Sequence, residues 1–243
     1  VAARWFQDNL KADVLYAVKA NPSPWVIETL AANGVASFDV ASIPEIELVR
    51  RFAPNARLAF MHPVKSRVAI ASAYFDHGVR IFSLDSHEEL AKILEATGGA
   101  KDLTLIVRIA VPSEGAAYAL SGKFGVEPDA APALLLAARR ATQDLMGISF
   151  HVGSQCMRPT AYQGAMSAAS RALVRAGVFA DIVDVGGGFP SVYPGMAPPA
   201  LEDYADSIHR GFAEMMERLA KAFVGPAPVL HLGTSYYFAV DFA

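Results

Sequence analysis

The chain has 243 residues, 53% of them hydrophobic and 19% charged, which suffices for the core of one large domain and excludes an intrinsically disordered chain. A net charge of −3 leaves no basic surplus for binding nucleic acid. Because Cys156 is the sole cysteine, the chain cannot form an internal disulfide or a four-cysteine metal site, and we predict no metal.

Short apolar runs rich in β-branched and aromatic residues alternate with longer segments of helical periodicity. In chain order, the predicted strands are residues 14–19, 37–40, 57–61, 79–84, 103–109, 147–151, 182–185 and 229–232. The predicted helices between them are 24–32, 43–52, 65–77, 88–97, 130–142, 161–176 and 201–223. Eight strands joined by helical crossovers favour a (β/α)8 TIM barrel over an open doubly wound sheet, so we predict one α/β barrel domain over residues 1–243.

Two connections in this pattern are unusually long, residues 110–128 and 186–200. Loops of that length in a compact domain are usually functional or mobile. Elsewhere the helices carry start signals: Ser86 with Glu89 forms a capping-box pattern, and Ser23 precedes a first-turn proline. These signals support the predicted starts of the helices at 24–32 and 88–97.

Lys19 closes the first predicted strand. A lysine at the end of a buried parallel strand lies at the face where barrel enzymes carry out their chemistry, and burial there can lower its pKa and expose a nucleophilic amine. Lys19 is therefore a candidate for forming a Schiff base. The alternative is a lysine whose ammonium simply extends into water, which is the commoner situation for an isolated lysine.

Polar residues and one glycine end five of the other predicted strands: Asp39, His62, Arg108, His151 and Gly186. The carboxyl ends of all strands in a parallel barrel converge on one face, so we expect these residues to line one pocket with Lys19. A lone histidine or arginine is more often a packed or ion-paired residue. The shared position at strand ends favours a common site.

Gly186, Gly187 and Gly188 directly follow the strand at 182–185. Such a loop can present several N–H groups to a phosphate, and the loop after the seventh strand is a recurrent phosphate site in these barrels. A tight turn that needs positive φ is the alternative. Ser154 adds a hydroxyl after the neighbouring strand, so the two loops are predicted to converge on one anion.

An amine, an imidazole that can lie against a flat ring and a phosphate cradle together describe a site for pyridoxal 5′-phosphate. The chain also resembles the eukaryotic-type ornithine decarboxylases, in motifs that occur in the same order from about residue 15 to 190. These motifs are Tyr-Ala-Val-Lys-Ala-Asn at 16–21, Phe-Asp-Val-Ala-Ser at 38–42, Phe-Met-His-Pro-Val-Lys at 60–65, Leu-Ser-Gly-Lys-Phe-Gly at 120–125, Phe-His-Val-Gly-Ser-Gln at 150–155 and Asp-Val-Gly-Gly-Gly-Phe-Pro at 184–190.

The resemblance implies roles for the matching positions. Lys19 would bind the cofactor covalently, and His151 would stack on its pyridine ring as the second catalytic residue. Lys123 would lie on a mobile flap near the mouth of the site, with a solvated loop lysine as the equal alternative. The remaining cofactor-binding residues implied are Asp39 and Arg108 beside the ring and the lysine, and Ser154, Gly186, Gly187 and Gly188 at the phosphate.

Two departures from the family pattern concern the end of the chain. Where the family carries Glu-Pro-Gly-Arg at the end of the eighth strand, this chain has His-Leu-Gly-Thr-Ser-Tyr-Tyr at 231–237, so neither charge is present. Without the glutamate the ring nitrogen would be protonated less readily, and phosphate contacts there would fall to Gly233 and Thr234. The family's C-terminal β-domain, which supplies further site residues, does not appear in this sequence.

The implied reaction is the loss of CO2 from an amino acid with a basic side chain, with L-ornithine giving putrescine in polyamine biosynthesis. Lysine, diaminopimelate or arginine are alternative substrates. Two alternative functions remain: a non-catalytic homologue that keeps the barrel for regulation, and a racemase-like activity. The implied partners are a small amino acid and a second copy in a head-to-tail homodimer. Since no apolar run reaches the roughly 18 residues of a membrane span and no signal peptide is evident, we expect a soluble, cytoplasmic protein.

Overall fold

The structure is a computed structural model that describes residues 2–112, 116–118 and 122–223. Its strands in chain order are β1 (Leu15–Ala17), β2 (Ser37–Val40), β3 (Arg57–Phe60), β4 (Ile81–Leu84), β5 (Thr104–Arg108), β6 (Ala116–Tyr118), β7 (Met146–Ser149), β8 (Ser154–Cys156) and β9 (Ile182–Asp184). Seven of them form one sheet in the order β1-β2-β3-β4-β5-β7-β9, and every pairing in it is parallel. These are the first seven predicted strands. The eighth, at 229–232, lies outside the described residues together with Gly233.

Helices connect the parallel strands, as a parallel sheet requires. In chain order they are α1 (Ala2–Leu10), α2 (Pro24–Ala32), α3 (Ile43–Phe52), α4 (Arg67–Phe75), α5 (His87–Ala96), α6 (Ala131–Ala141), α7 (Ala161–Ala176) and α8 (Leu201–Ala222). The predictions for α2, α3 and α7 are confirmed at both ends. The Ser86 hydroxyl accepts a bond from the Glu89 amide at the start of α5, as predicted, whereas Ser23 precedes α2 without a side-chain cap bond.

The hydrophobic core lies between the sheet and the helices. Aromatic side chains from neighbouring strands, including Tyr16, Phe38, Phe60 and Phe82, pack on this face and are buried. Successive side chains of a strand point to opposite faces, so Leu15 and Ala59 lie on the other face, where they form a separate small cluster. The fold thus buries both faces of the sheet, which explains the near-continuous apolar runs.

One helix and one pair of strands were not predicted. One is α1, which packs its buried Phe6 and Leu10 against the rest of the core and whose Asn9 carbonyl lies 2.7 Å from the Nε2 atom of His209 on α8. The other is the antiparallel pair of β6 and β8. The long connection at 110–128, predicted as a loop, therefore contains a strand.

Within the described ranges, no helix has the length and apolar character needed to cross a bilayer. In the same residues, no three His, Cys, Asp or Glu side chains come together in a way that could hold a metal ion.

Candidate active site

A cavity of about 410 Å³ opens at the carboxyl ends of the parallel strands. It brings together seven of the residues predicted for the site, which are Lys19, Asp39, Arg108, His151, Ser154, Gly186 and Gly188. His62 and Lys123 line it as well. Gly187 belongs to the same loop but does not line the cavity, and Gly233 lies outside the described residues.

Lys19 reaches the cavity from a short helical turn. The strand β1 ends at Ala17, and Val18–Ala20 form one turn of 3₁₀ helix, so the prediction that Lys19 closes the strand was wrong by two residues. Its Nζ atom lies 3.6 Å from the Oδ2 atom of Asp39, and the Asp39 side chain is only 7% exposed. Because Ala17 and Asp39 are partners in the parallel register, the lysine following β1 and the aspartate of β2 are neighbours.

His151 is held by the backbone that follows it. Its Nδ1 atom accepts a bond of 2.9 Å from the Gly153 amide. In a neutral imidazole with Nδ1 as acceptor, the proton is on Nε2, so this contact selects one tautomer. The ring is therefore oriented by its own loop.

Phe124 joins three charged or titratable side chains at one side of the cavity, and sequence reasoning missed it. The Arg108 guanidinium lies 5.5 Å and the Lys123 ammonium 5.2 Å from the centre of its ring, and His62 meets the ring edge-on at 5.2 Å. Its neighbour Gly125 donates its amide to Asp85 at 2.9 Å. The aromatic ring thus forms an apolar wall with cations on it, and the Leu-Ser-Gly-Lys-Phe-Gly motif was the available signal.

The His62 imidazole stays neutral near neutral pH. Burial lowers its pKa, and the positive charges of Lys65, Lys19 and Arg108 lower it further. Its Nδ1 atom accepts from the Val64 amide at 3.1 Å. The ring therefore presents a neutral group within a positively charged part of the cavity.

Lys65 lies beneath His62 with a side chain that is 0% exposed. Its Nζ atom pairs with Glu89 at 3.0 Å and donates to the carbonyls of His62 at 2.9 Å and Ser83 at 2.6 Å. Burial lowers the pKa of Lys65 to about 8, although the Glu89 carboxylate opposes this shift. Lys65 therefore connects α5 both to the segment that follows β3 and to the strand β4. The motif that contains Lys65 did not predict this structural role.

The glycine loop packs closely on the loop that carries His151. Gly186 has φ +65° and Gly188 has φ +110°. A Cβ at Gly186 would lie 2.3 Å from the Phe150 carbonyl oxygen, and one at Gly188 would lie 2.4 Å from the Gly153 carbonyl oxygen. Both positions therefore need glycine for backbone conformation and for close approach.

The cavity has the groups that a flat, phosphorylated aldehyde needs. Lys19 supplies an amine beside a buried carboxylate, and the side-chain-free loop leaves room for an anion next to Ser154. The Ser149 hydroxyl also lines the cavity, is buried and has no hydrogen-bond partner among the described residues. An unpartnered buried hydroxyl at the wall of a cavity is suited to receive a bond from a bound molecule. The residues present thus fit pyridoxal phosphate.

A search against known families decides the relationship. Residues 2–224 match the sequence profile described as "Pyridoxal-dependent decarboxylase, pyridoxal binding domain". The chain belongs to this family. The predicted membership is confirmed, and the cofactor predicted from the residues is the one that this decarboxylase domain binds.

Curated relatives of this decarboxylase domain come from bacteria and animals. The chain is 39% identical over 184 residues to the lysine/ornithine decarboxylase of Selenomonas ruminantium, covering 74% of this chain and 46% of the relative. It is 35% identical over 221 residues to the ornithine decarboxylase of Caenorhabditis elegans, covering 88% and 51%. It is also 36% identical over 181 residues to human antizyme inhibitor 2, covering 72% and 38%. The chain spans about half the length of the curated decarboxylases it matches.

Solved structures agree with this decarboxylase fold. The lysine decarboxylase of Selenomonas ruminantium is similar with a TM-score of 0.78 at 30% identity, over 98% of this chain and 58% of that one. The arginine decarboxylase of Paramecium bursaria Chlorella virus, bound to agmatine, is similar with a TM-score of 0.78 at 27% identity, over 98% and 60%. The predicted α/β barrel is thereby confirmed.

Proposed function

We propose that this protein is a pyridoxal phosphate-dependent decarboxylase of a basic amino acid, and that its substrate is L-ornithine, which it converts to putrescine for polyamine biosynthesis. The observation that carries the proposal is the shared cavity of Lys19, Asp39, His151 and the glycine loop in a chain of this family. Relatives named as ornithine and lysine/ornithine decarboxylases support this substrate class.

Each residue has a task in this reaction. Lys19 would hold the cofactor through its amine, which lies on the wall of the cavity. The Asp39 carboxylate lies beside that amine, and His151 would help to hold the ring of the cofactor. The loop residues Gly186–Gly188 with Ser154 hold the phosphate. The bound cofactor supplies the conjugated ring that takes up the electron pair when the bond from Cα to the carboxylate breaks.

Arg108 has a place on the wall of the same cavity. Its guanidinium lies against Phe124 and carries a permanent positive charge. In the proposed reaction it would help to hold the cofactor in the cavity that it shares with Lys19, because a fixed cation favours binding of an anionic group. The neutral His62 contributes no competing charge near neutral pH, because burial and the neighbouring cations lower its pKa.

The substrate proposal is tested by competition among basic amino acids. The purified protein with pyridoxal phosphate is incubated separately with L-ornithine, L-lysine, L-arginine and diaminopimelate, and CO2 and the product amine are quantified. The proposal expects the highest kcat/KM with L-ornithine. A higher value with one of the other three would correct the substrate, and absence of CO2 from all four in a folded, cofactor-bound protein would overturn the enzymatic proposal.

A second candidate function is a regulatory homologue that binds the cofactor without turning over substrate. Two observations favour it: the similarity to human antizyme inhibitor 2, and the segment 231–237, which stands in place of the family's Glu-Pro-Gly-Arg and lacks both of its charges. The same assay separates the two functions, since the regulatory protein would bind the cofactor and release no CO2. A racemase-like activity would instead convert L-ornithine to its D enantiomer, which chiral chromatography of the same mixtures detects.

We further propose that the protein acts in the cytoplasm as a head-to-tail homodimer that completes each active site with residues of the second copy. The support is the family membership. Sedimentation velocity of the purified protein measures its mass. A species of two chains agrees with the proposal, and a monomer at concentrations where the protein is active contradicts it.

A further inference from the structure

Two buried tyrosines lie directly behind the wall of the cavity. Tyr162 on α7 donates its hydroxyl to the Gly187 carbonyl at 2.9 Å, and Tyr204 on α8 donates its hydroxyl to the Cys156 carbonyl at 2.6 Å. Both side chains are fully buried. Burial raises the pKa of Tyr204, so its hydroxyl remains protonated as a donor. Neither tyrosine lines the cavity, yet each binds backbone of a segment that does.

The contact of Tyr162 sets the direction of a peptide group. In a trans peptide the carbonyl and the following N–H point to opposite sides. With the Gly187 carbonyl held by Tyr162 in the interior, the Gly188 N–H points the other way, toward the side where Gly188 lines the cavity. The tyrosine hydroxyl thus turns one donor of the loop toward the bound anion.

Tyr204 acts on the next peptide group through Cys156. The Cys156 amide donates to the Gly188 carbonyl at 2.8 Å, so the Phe189 N–H points away from that bond. Tyr204 holds the carbonyl of the same Cys156 residue and thereby fixes β8 against the glycine loop. Two successive peptide groups are oriented in this way, the first by the Tyr162 hydroxyl and the second by the Cys156 amide of the strand that Tyr204 holds.

Aromatic packing keeps the two hydroxyls in place. The rings of Tyr162 and Phe189 stack with their centres 5.3 Å apart, and Tyr204 meets both of these rings edge-on. Since Phe189 is the residue next to the glycines and lines the cavity, the loop is held by a ring contact as well as by hydrogen bonds.

We infer that Tyr162 and Tyr204 are positioning residues that orient the N–H groups of Gly188 and Phe189 for the phosphate of the cofactor. This inference rests on the proposed function of the cavity. The two tyrosines, from α7 and α8, form a layer behind the glycine loop. Their contacts hold the backbone of the loop in the orientation that an anion needs.

The test is the Tyr162→Phe variant, which removes the hydroxyl and keeps the ring. Affinity for pyridoxal phosphate, measured by absorbance titration, is expected to fall about tenfold, since one bond that orients a donor is lost. Affinity for pyridoxal, which lacks the phosphate, is expected to stay unchanged. The ³¹P resonance of the bound cofactor is expected to shift, because the donors around the phosphate change. The matched control is Tyr74→Phe, which deletes an exposed hydroxyl that donates to Asp102 at 2.8 Å.

Three results would overturn the inference: unchanged affinity for pyridoxal phosphate, an equal loss for pyridoxal, or an unmoved ³¹P resonance. An equal loss for both ligands would mean that the hydroxyl only stabilises the fold. Tyr204→Phe is the second variant, with the same expected selectivity for the phosphorylated ligand, and it decides the matter if Tyr162→Phe does not fold. If the wild-type protein itself failed to bind pyridoxal phosphate, the proposed function would be contradicted. If the wild-type protein bound it and both tyrosine variants bound it equally well, only the inference about the tyrosines would be overturned.

Discussion

At the scale of single residues, the buried Lys65 connects stability to pH. Its ammonium has good partners in Glu89 and two carbonyls, yet burial lowers its pKa from 10.5 to about 8. Between these two values the unfolded chain binds a proton that the folded chain does not. The contribution of Lys65 to stability therefore increases as the pH rises from about 8 to 10.5.

We predict that this pH-dependent rise disappears in Lys65→Met. The variant is also expected to lose about 3 kcal/mol at neutral pH, because Glu89 would lose a buried partner. Urea unfolding of wild type and variant over the alkaline range measures both effects. The control is Lys221→Met, whose exposed ion pair with Glu217 should leave the rise intact. Parallel pH profiles for wild type and Lys65→Met would contradict the assignment.

Site residues could be predicted from the sequence where they stand near the end of a predicted strand. Lys19, Asp39, Arg108 and His151 lie at or near the carboxyl ends of parallel strands, and parallel strands end on one face. Tyr162 was not predictable in the same way, since a tyrosine within a helical pattern reads as core. Its hydroxyl contact depends on how α7 packs against the glycine loop, which is a tertiary property.

At the scale of elements, the glycine loop is specified by close contact between two connections. Both Gly188 and Gly195 have positive φ, but only at Gly188 would a side chain meet backbone. A Cβ at Gly195 has nothing within 4 Å. A comparison of alanine substitutions at the two positions therefore separates the effect of conformational strain from the effect of steric overlap.

We predict that Gly188→Ala destabilises the fold by about 3 kcal/mol and weakens cofactor binding, because strain and overlap with the Gly153 carbonyl add. Gly195→Ala, the matched control, should cost about 1 kcal/mol and leave cofactor affinity unchanged. Urea denaturation and absorbance titration of both variants provide the comparison. Equal effects at the two positions would show that the close approach of the two loops is unimportant.

The bounds of a helix were predicted correctly where residues typical of helix ends flank a segment with clear helical periodicity. The helix α2 begins at a proline after Ser23, and α7 ends before Gly177, which has φ +67°. The pair of β6 and β8 has strands of only three residues each, too short for an alternation to be recognised. The ends of β2 and β4 were predicted at the correct residue, whereas the other five strands of the large sheet end one or two residues earlier than predicted. Apolar residues such as Met61 and Phe150 follow the ends of their strands and line the cavity, so the apolar run is longer than the strand.

At the scale of the whole molecule, α1 links the start of the described chain to the cofactor side of the barrel. Phe6 is buried and its ring meets Phe189 edge-on at 4.9 Å. Phe189 in turn lines the cavity and stacks on Tyr162. Packing of the first helix is thus continuous with the layer behind the glycine loop.

We predict that Phe6→Ala lowers the free energy of unfolding by about 3 kcal/mol, because it leaves a cavity under α1. At 2–4 °C per kcal/mol for a domain of this size, Tm should fall by roughly 10 °C. Cofactor affinity should fall with it. The control is Trp25→Ala, since Trp25 is 65% exposed and its loss should change Tm little. A Tm drop in both variants of similar size would contradict the role given to α1.

The fold class could be predicted because alternating strands and helices leave few topologies, and parallel strands need helical crossovers. The helix α1 could also have been predicted, because the apolar residues Ala3, Phe6 and Leu10 recur at helical spacing. All three are buried in the structure. Substrate and assembly could not be read from the sequence in the same way. The chain spans about half the length of its curated decarboxylase relatives.

The central claim is that Lys19 holds pyridoxal phosphate in the described cavity. Its most direct test is an absorbance spectrum of the purified protein with the cofactor, followed by borohydride reduction and mass analysis of the peptide that contains Lys19. We predict a Schiff-base band in the wild type, with the pyridoxyl mass on Lys19 and no such band in a folded Lys19→Ala variant. A pyridoxyl group on another lysine, or an unchanged band in Lys19→Ala, would contradict the account.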